Sequence, residues 1–383
     1  SNSGLRSSSN SQLRKEASFD YLPDNWRVGV QAKDFQTLSS SMVDPHEVMP
    51  SLFADGNYAL ANGLVVNMHN RMTEFGHKDA GELQRSVDGF YYDIEQKENR
   101  ILTGSRYNLD YNVALPMRTS GSFLTPKVGV RHVTQQLNGV NDVVVMPKGT
   151  VFGGQKLLTD TPYGGSTPDS NPSATVGYAS LDSGLIFERD SQWFGNNYRQ
   201  TLEPRMMYYY AGQQNQDDIY NFDSNKLTFS YPQLFRDYRL AGEDYIDDSN
   251  QVAVGVSTRF LDPKSGRELI RASIGQAYYL SKRDIVLENT AAQTQYEQSR
   301  SHSSIVGEVV ARINREWDMR TETLWDDNKA QLERQSVDVR YRDEEKRLFN
   351  IGYQFVDRDS TVNDDGDLVD RSVEQAYVSG AYP

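Results

Sequence analysis

The segments Gln251 to Leu261 and Arg267 to Leu280 alternate their side chains so strictly that each divides cleanly into two faces. Val252, Val254, Val256 and Phe260 fall on one face of the first, with Gln251, Ala253, Gly255, Ser257 and Arg259 on the other. A period of two marks a β-strand, because successive side chains leave a pleated chain in opposite directions. In the second segment Ile270, Ala272, Ile274, Tyr278 and Leu280 oppose Arg271, Ser273, Gly275 and Ala277. Asp262-Pro263-Lys264-Ser265-Gly266 between them supplies turn residues, so the pair reads as a hairpin with one apolar face. An apolar face repeated on strand after strand has to meet either a core or lipid.

Hydrophobic residues make up only 37% of the 383, yet there are 23 tyrosines, 15 phenylalanines and 4 tryptophans. Strands with one oily and one wet face produce that mixture. No run approaches the roughly 18 apolar residues of a transmembrane helix, so a membrane role would require a closed barrel of alternating strands. The formal charge of -13 disfavours a general nucleic-acid-binding surface, and with no cysteine there is neither a disulfide nor a thiolate metal site. The chain opens Ser1-Asn2-Ser3-Gly4 without an initiator Met, as expected of a processed or trimmed product.

Period-two segments between turn signals give about fifteen strands, each near the length that crosses a bilayer when tilted. They fall at 11–20, 26–36, 48–59, 62–75, 105–116, 121–136, 174–187, 198–210, 250–261, 267–281, 303–313, 317–326, 334–342, 347–356 and 372–382, with 85–95 as a further short strand inside a loop. Their connections alternate in length. Short ones occur at Tyr21 to Asn25, Ala61 to Asn62, Met117 to Ser120, Asp262 to Gly266, Asn314 to Glu316 and Asp343 to Lys346. Long polar ones occupy 76–104, 137–173, 211–249, 282–302 and 357–371, with weaker cases at 37–47 and 327–333. A soluble sandwich has no reason to sort its loops, whereas an outer-membrane barrel has short periplasmic turns and long outer loops. Tyr208-Tyr209-Tyr210, Tyr278-Tyr279 and Tyr341 near strand ends suit an interfacial aromatic girdle. The fold class is therefore all-β, an antiparallel transmembrane barrel, with residues 1–383 as a single barrel region. An odd count cannot close an even-stranded barrel, so these strands are expected to be part of a larger one.

Catalytic and metal motifs fail on inspection. His46-Glu47 starts like a zinc-protease motif, but Pro50 stands where the second histidine is needed. His46, His69, His77, His132 and His302 are scattered, and no nucleophile elbow or phosphate loop is present. Asp359, Asp364, Asp365 and Asp367 surround Gly366, but an EF-hand register would place Thr361 and Ser372 at its first and last ligand positions. That stretch reads as a solvated acidic loop, with weak divalent-ion binding as the competing hypothesis. The loop 211–249 differs in kind. It is acidic yet carries Ile219, Tyr220, Phe222, Leu227, Phe229, Leu234 and Phe235, so it is expected to fold back on the barrel, plug its lumen or meet a partner, unless it is two extra strands above the membrane.

Around this loop the sequence resembles a known family. Thr201-Leu202-Glu203-Pro204-Arg205, Leu234-Phe235-Arg236-Asp237-Tyr238-Arg239, Gly242-Glu243-Asp244 and Asn250-Gln251 carry the likeness. Val254 to Arg259, Ser273 to Tyr279 and Tyr341 to Glu345 extend it. The pattern is similar to the lipopolysaccharide-assembly proteins LptD, or organic solvent tolerance proteins, most clearly over 174–356. The resemblance implies a barrel of about 26 strands that inserts lipopolysaccharide into the outer leaflet of a Gram-negative outer membrane. It implies the lipoprotein LptE as a plug in the lumen, a periplasmic bridge reached through an N-terminal domain, and no cofactor. That domain, the family's C-terminal cysteine pair and its lateral gate are not matched within 1–383.

The expectation is a transport protein and not an enzyme. Leu234, Phe235, Arg236, Asp237, Arg239, Gly242, Asp244, Asn250 and Gln251 are the candidates for closing the lumen or contacting the plug. Val252, Val254, Val256, Phe260, Ile270 and Ile274 are the candidates for facing lipid. The competing readings are a porin-type barrel, whose loops would sort identically, and a soluble tyrosine-rich β-scaffold.

Overall fold

The computed structural model describes residues 12–37, 45–78, 101–138, 140, 169–193, 195–287, 291–345, 347–357 and 372–382, plus four two-residue strand pairs in the intervening loops. Seventeen strands form one antiparallel sheet. Two of them are continuations, Met117–Arg118 beyond Thr103–Ala114 and Phe187–Trp193 beyond Ser173–Leu185, which leaves fifteen staves. In chain order these are β1 (Gln12–Tyr21), β2 (Trp26–Thr37), β3 (Glu47–Ala59), β4 (Val65–Gly76) and β5 (Thr103–Ala114). Then come β6 (Ser122–Asn138), β7 (Ser173–Leu185), β8 (Asn196–Ala211), β9 (Ser249–Leu261) and β10 (Glu268–Tyr279). The series ends with β11 (Ile305–Arg312), β12 (Trp317–Asp326), β13 (Gln331–Arg342), β14 (Leu348–Val356) and β15 (Val373–Ala381). Each stave pairs with its neighbour in sequence, an up-and-down meander. Among the described residues no pairing joins β1 to β15, so the sheet is open.

Register fixes the two faces. In the β9–β10 hairpin Val256 lies opposite Ile274 and Phe260 opposite Ile270, while Ala253 meets Ala277 and Gly255 meets Gly275. The apolar set continues across the sheet: Leu52, Met72, Val128, Leu181, Met206, Val254, Ile274, Ile351 and Val378 are all exposed. The opposite face carries the charges, including a ladder from Glu203 through Arg259, Arg271 and Glu308 to Arg320, Glu322 and Arg334. We call this the inner face, because the 212–248 connection packs on it.

Three expectations change in detail. The connection 327–330 is as short as the turns at 22–25 and 313–316, because Gln331–Arg342 starts before the span read from sequence. Of the tyrosine runs, Tyr210 and Tyr278 are exposed on the outer face, whereas Tyr209 is buried and Tyr279 lies beneath the Arg283 guanidinium at 3.8 Å. Strand alternation forbids adjacent tyrosines from sharing a girdle. Within 85–95 only the pairing of Arg85–Ser86 with Gly89–Phe90 is described. The connection 280–304 holds a helix, α1 (Ala291–Ser299), that has no counterpart in the strand pattern. Asp359, Asp364, Asp365 and Asp367 lie outside the described residues.

Candidate lumenal site

The 212–248 segment folds back against the inner face, and small residues make room for it. A Cβ on Gly255 would lie 2.8 Å from the Tyr231 ring, and one on Gly275 would lie 2.7 Å from Leu234 Cδ1. With Ala253 and Ala277 these glycines leave a trough in β9 and β10. The 3-10 turn Tyr231–Phe235 seats Leu234 and Phe235 there, both buried with Met207, Tyr209, Val306 and Leu324. The Arg205 guanidinium covers Phe235 at 4.2 Å from the ring centre.

Four groups of polar contacts hold the rest. Arg106 on β5, only 2% exposed, donates from Nη1 to Asp223 Oδ1 at 2.7 Å and also pairs with Asp244. Asp244 is fully buried; its Oδ2 accepts the backbone N–H groups of Phe222, Asp223 and Ser224 at 3.1, 2.8 and 3.0 Å, and its Oδ1 accepts from Gln135 Nε2 at 3.3 Å. Asp237 takes Lys127 at 3.0 Å and Arg131 at 3.3 Å, and its carbonyl accepts a second Arg131 bond at 2.7 Å. Glu243 lies 3.1 Å from His69 Nε2, whose Nδ1 is 2.5 Å from Asp55. Arg239 pairs with Asp247, and Asp248 in turn accepts the Ile285 N–H at 3.0 Å, tying this segment to the next connection.

Of the residues anticipated for closure, Leu234, Phe235, Asp237, Arg239, Gly242, Asp244 and Gln251 meet in this arrangement. Arg236 does not: it is exposed and donates to the Tyr238 hydroxyl at 3.1 Å. Asn250 has the parity of Val252 and accepts from Tyr208 at 3.1 Å, on the outer face. Arg106, Gln135 and Asp223 are not among the anticipated site residues, and the trough glycines stand in the sequence only as small residues on the wet strand face.

Gly242 has φ +78°, and a Cβ there would sit 2.6 Å from Ser224 Cα. Gly242→Ala is expected to loosen the segment by about 1–3 kcal/mol, from left-handed strain and the backbone clash together. Limited proteolysis between 212 and 248 would register it, and unchanged protection would refute the fit.

Burial alone would raise the Asp237 carboxyl, but the charges of Arg131 and Lys127 outweigh it and hold it below its ordinary value. Glu243 is likewise held low, its burial outweighed by the His69 hydrogen bond and the Arg71 charge. Asp244 goes the other way: burial, opposed by Arg106 and reinforced by the Asp223 charge, pushes it up to about 6, still ionised at neutral pH. The signs differ accordingly. Stabilisation from Asp237 and Glu243 is complete above their unfolded values and lost as pH falls through the lower folded ones, whereas the burial penalty of Asp244 is relieved below its raised value. Hydrogen-exchange protection of 219–244 is expected to peak near pH ~5 and fall below about 4. A monotonic rise toward low pH would contradict these contacts.

Residues 1–383 match the protein family LptD, described as LPS transport system D. This chain belongs to the LptD family. It is 31% identical over 385 residues to the LPS-assembly protein LptD of Nitrosococcus oceani, covering 99% of this chain and 44% of that protein. The LptD of Pseudomonas fluorescens is 34% identical, covering 88% of this chain and 37% of its own length. That of Hahella chejuensis is 29% identical over 88% of this chain and 38% of its length. The chain thus spans less than half the length of these relatives. The LptD-like stretch from Leu234 to Asp244 is among the parts of the connection that lie against the strands, with Tyr220, Asp223 and Tyr231.

Proposed function

We propose that this chain is part of the barrel wall of a lipopolysaccharide transporter in the outer membrane of a Gram-negative bacterium, and that it delivers lipopolysaccharide to the outer leaflet without being an enzyme. The observation that carries the reading is the fifteen-stave meander, with a mainly apolar outer face and a charged inner face, in a chain of the LptD family. Val252, Val254, Val256, Phe260, Ile270 and Ile274 face lipid. Residues 212–248 narrow the lumen and present a surface to a plug lipoprotein of the LptE kind. Connection to a periplasmic bridge is assigned to a domain outside these residues, and no cofactor takes part.

The test is complementation. In a strain depleted of the full-length protein, supplying it is expected to restore lipopolysaccharide at the cell surface, read by whole-cell antibody labelling. Restored barrel assembly and ion conductance with no surface lipopolysaccharide would favour a porin-type barrel instead.

A further inference from the structure

A cavity of about 90 Å³ lies where the 212–248 segment and the 280–304 connection meet the inner face of β9, β10 and β12. One wall is apolar: Leu227, Phe229 and Leu240 come from the segment, and Ile285, Val286 and Leu287 from the connection. The two connections enclose the space jointly, and neither forms it alone. The other wall carries Arg239, Arg283 and Arg300.

These three arginines are not equally answered. Asp247 pairs with Arg239, while Glu297 is shared, 3.0 Å from Arg300 and 3.4 Å from Arg283. Arg300 has Asp326 besides, at 3.8 Å. Arg283 is 3% exposed and lies over the Tyr279 ring at 3.8 Å. Its Nε and the Oε1 of Gln251, a residue 5% exposed on the same cavity, have no hydrogen-bond partner among the described residues. Buried polar groups in that state are rare, because each forgoes its bond to water. Burial opposes all three cations. Asp247 and Glu297 more than offset it for Arg239 and Arg300, whereas for Arg283 burial, reinforced by the Arg239 charge, leaves the guanidinium below its ordinary value. Arg283 is thus the cation still short of counter-charge.

Size and chemistry narrow the occupant. An apolar cavity of about 150 Å³ holds one benzene, so this one takes only a few heavy atoms, too few for a sugar or a phosphorylated headgroup. An anionic end answers Arg283, and a few apolar carbons cover the Leu227 and Val286 wall. A planar carboxylate matches the edge of a guanidinium, and the Gln251 amide, turned over, offers N–H donors to the same oxygens.

We propose that this cavity binds a small monocarboxylate with a short apolar tail, its carboxylate on Arg283, and that the bound molecule ties the 212–248 segment to the 280–304 connection.

Butyrate is the probe, added to the full-length protein in detergent micelles, with uncharged butyramide of equal size beside it. Titration followed by saturation-transfer NMR is expected to show butyrate bound about tenfold more tightly than butyramide, as for a hydrogen bond between charged groups. Butyrate should also slow hydrogen exchange in both 226–240 and 283–287. Arg283→Met should weaken butyrate about tenfold, and Val286→Phe, which fills the cavity and leaves Arg283 in place, should do likewise. Equal binding of the two probes by the wild-type protein overturns the site, and so does absence of butyrate binding. Slowed exchange in one stretch alone, or in neither, and butyrate binding unchanged in Val286→Phe overturn it too. Should Arg283→Met fail to fold, the two probes on the wild-type protein and the filled variant still decide.

Discussion

Arg106→Met is expected to release the 212–248 segment from the inner face while the strands stay paired. The guanidinium is the shared partner of Asp223 and Asp244, and its removal leaves a carboxylate with no exposed surface facing no cation. Removing one member of a buried ion pair costs about 3–5 kcal/mol, and here the cost falls on the seating of the segment, because the β5 backbone ladder is untouched. Hydrogen exchange across 219–244 should quicken at least about a hundredfold, with little change in β6 or β9. The double variant Arg106→Met with Asp244→Asn should recover part of the loss. A neutral amide oxygen can still accept the N–H groups of Phe222, Asp223 and Ser224, and no buried charge is left over. If the double variant is as damaged as the sum of its parts, the charge of Asp244 is not what Arg106 answers. If Arg106→Met leaves exchange unchanged, its ion pairs do not hold the segment, and the Leu234 and Phe235 trough with the Asp237 and Glu243 contacts does.

The contrast between what could and could not be read from sequence follows from range. Strand faces are local: Val252, Val254 and Val256 declare their side within a few residues, and the structure keeps that parity across the β9–β10 register. Loop sorting is also local, which is why it survives everywhere but 327–330, where early pairing of Gln331 shortens the connection. The seat of the segment is not local. Arg106 and Asp244 are 138 residues apart, and an isolated arginine on a polar strand face has no partner that sequence alone can name. Gly255 and Gly275 were visible as small residues on the wet face, but a gap in a strand acquires meaning only when Tyr231 and Leu234 arrive to fill it. Adjacent tyrosines misled for the opposite reason. Composition grouped Tyr208, Tyr209 and Tyr210, and the pleat then turned the middle one inward to meet Arg131 at 3.0 Å.

A charge placed on the outer face separates the membrane reading from its soluble rival. Val254 and Ile274 sit near the middle of β9 and β10, 37% and 52% exposed, with side chains directed away from the charged face. If that face meets hydrocarbon, Val254→Arg and Ile274→Arg should each destabilise the assembled full-length barrel by about 2–4 kcal/mol, the range for arginine at the bilayer midplane. Urea titration after refolding into lipid vesicles measures the difference. On a soluble scaffold the same substitutions replace exposed side chains facing water and should change stability by no more than about 0.5 kcal/mol. Gln354→Arg supplies the internal control, because Gln354 is exposed but pairs with Ser336 on the charged inner face, which faces water under either reading. The membrane reading requires the outer pair to suffer and the inner position to be spared. A comparable loss at all three would reduce the effect to disruption of strand pairing, and no loss at Val254 or Ile274 would remove lipid from the outer face altogether.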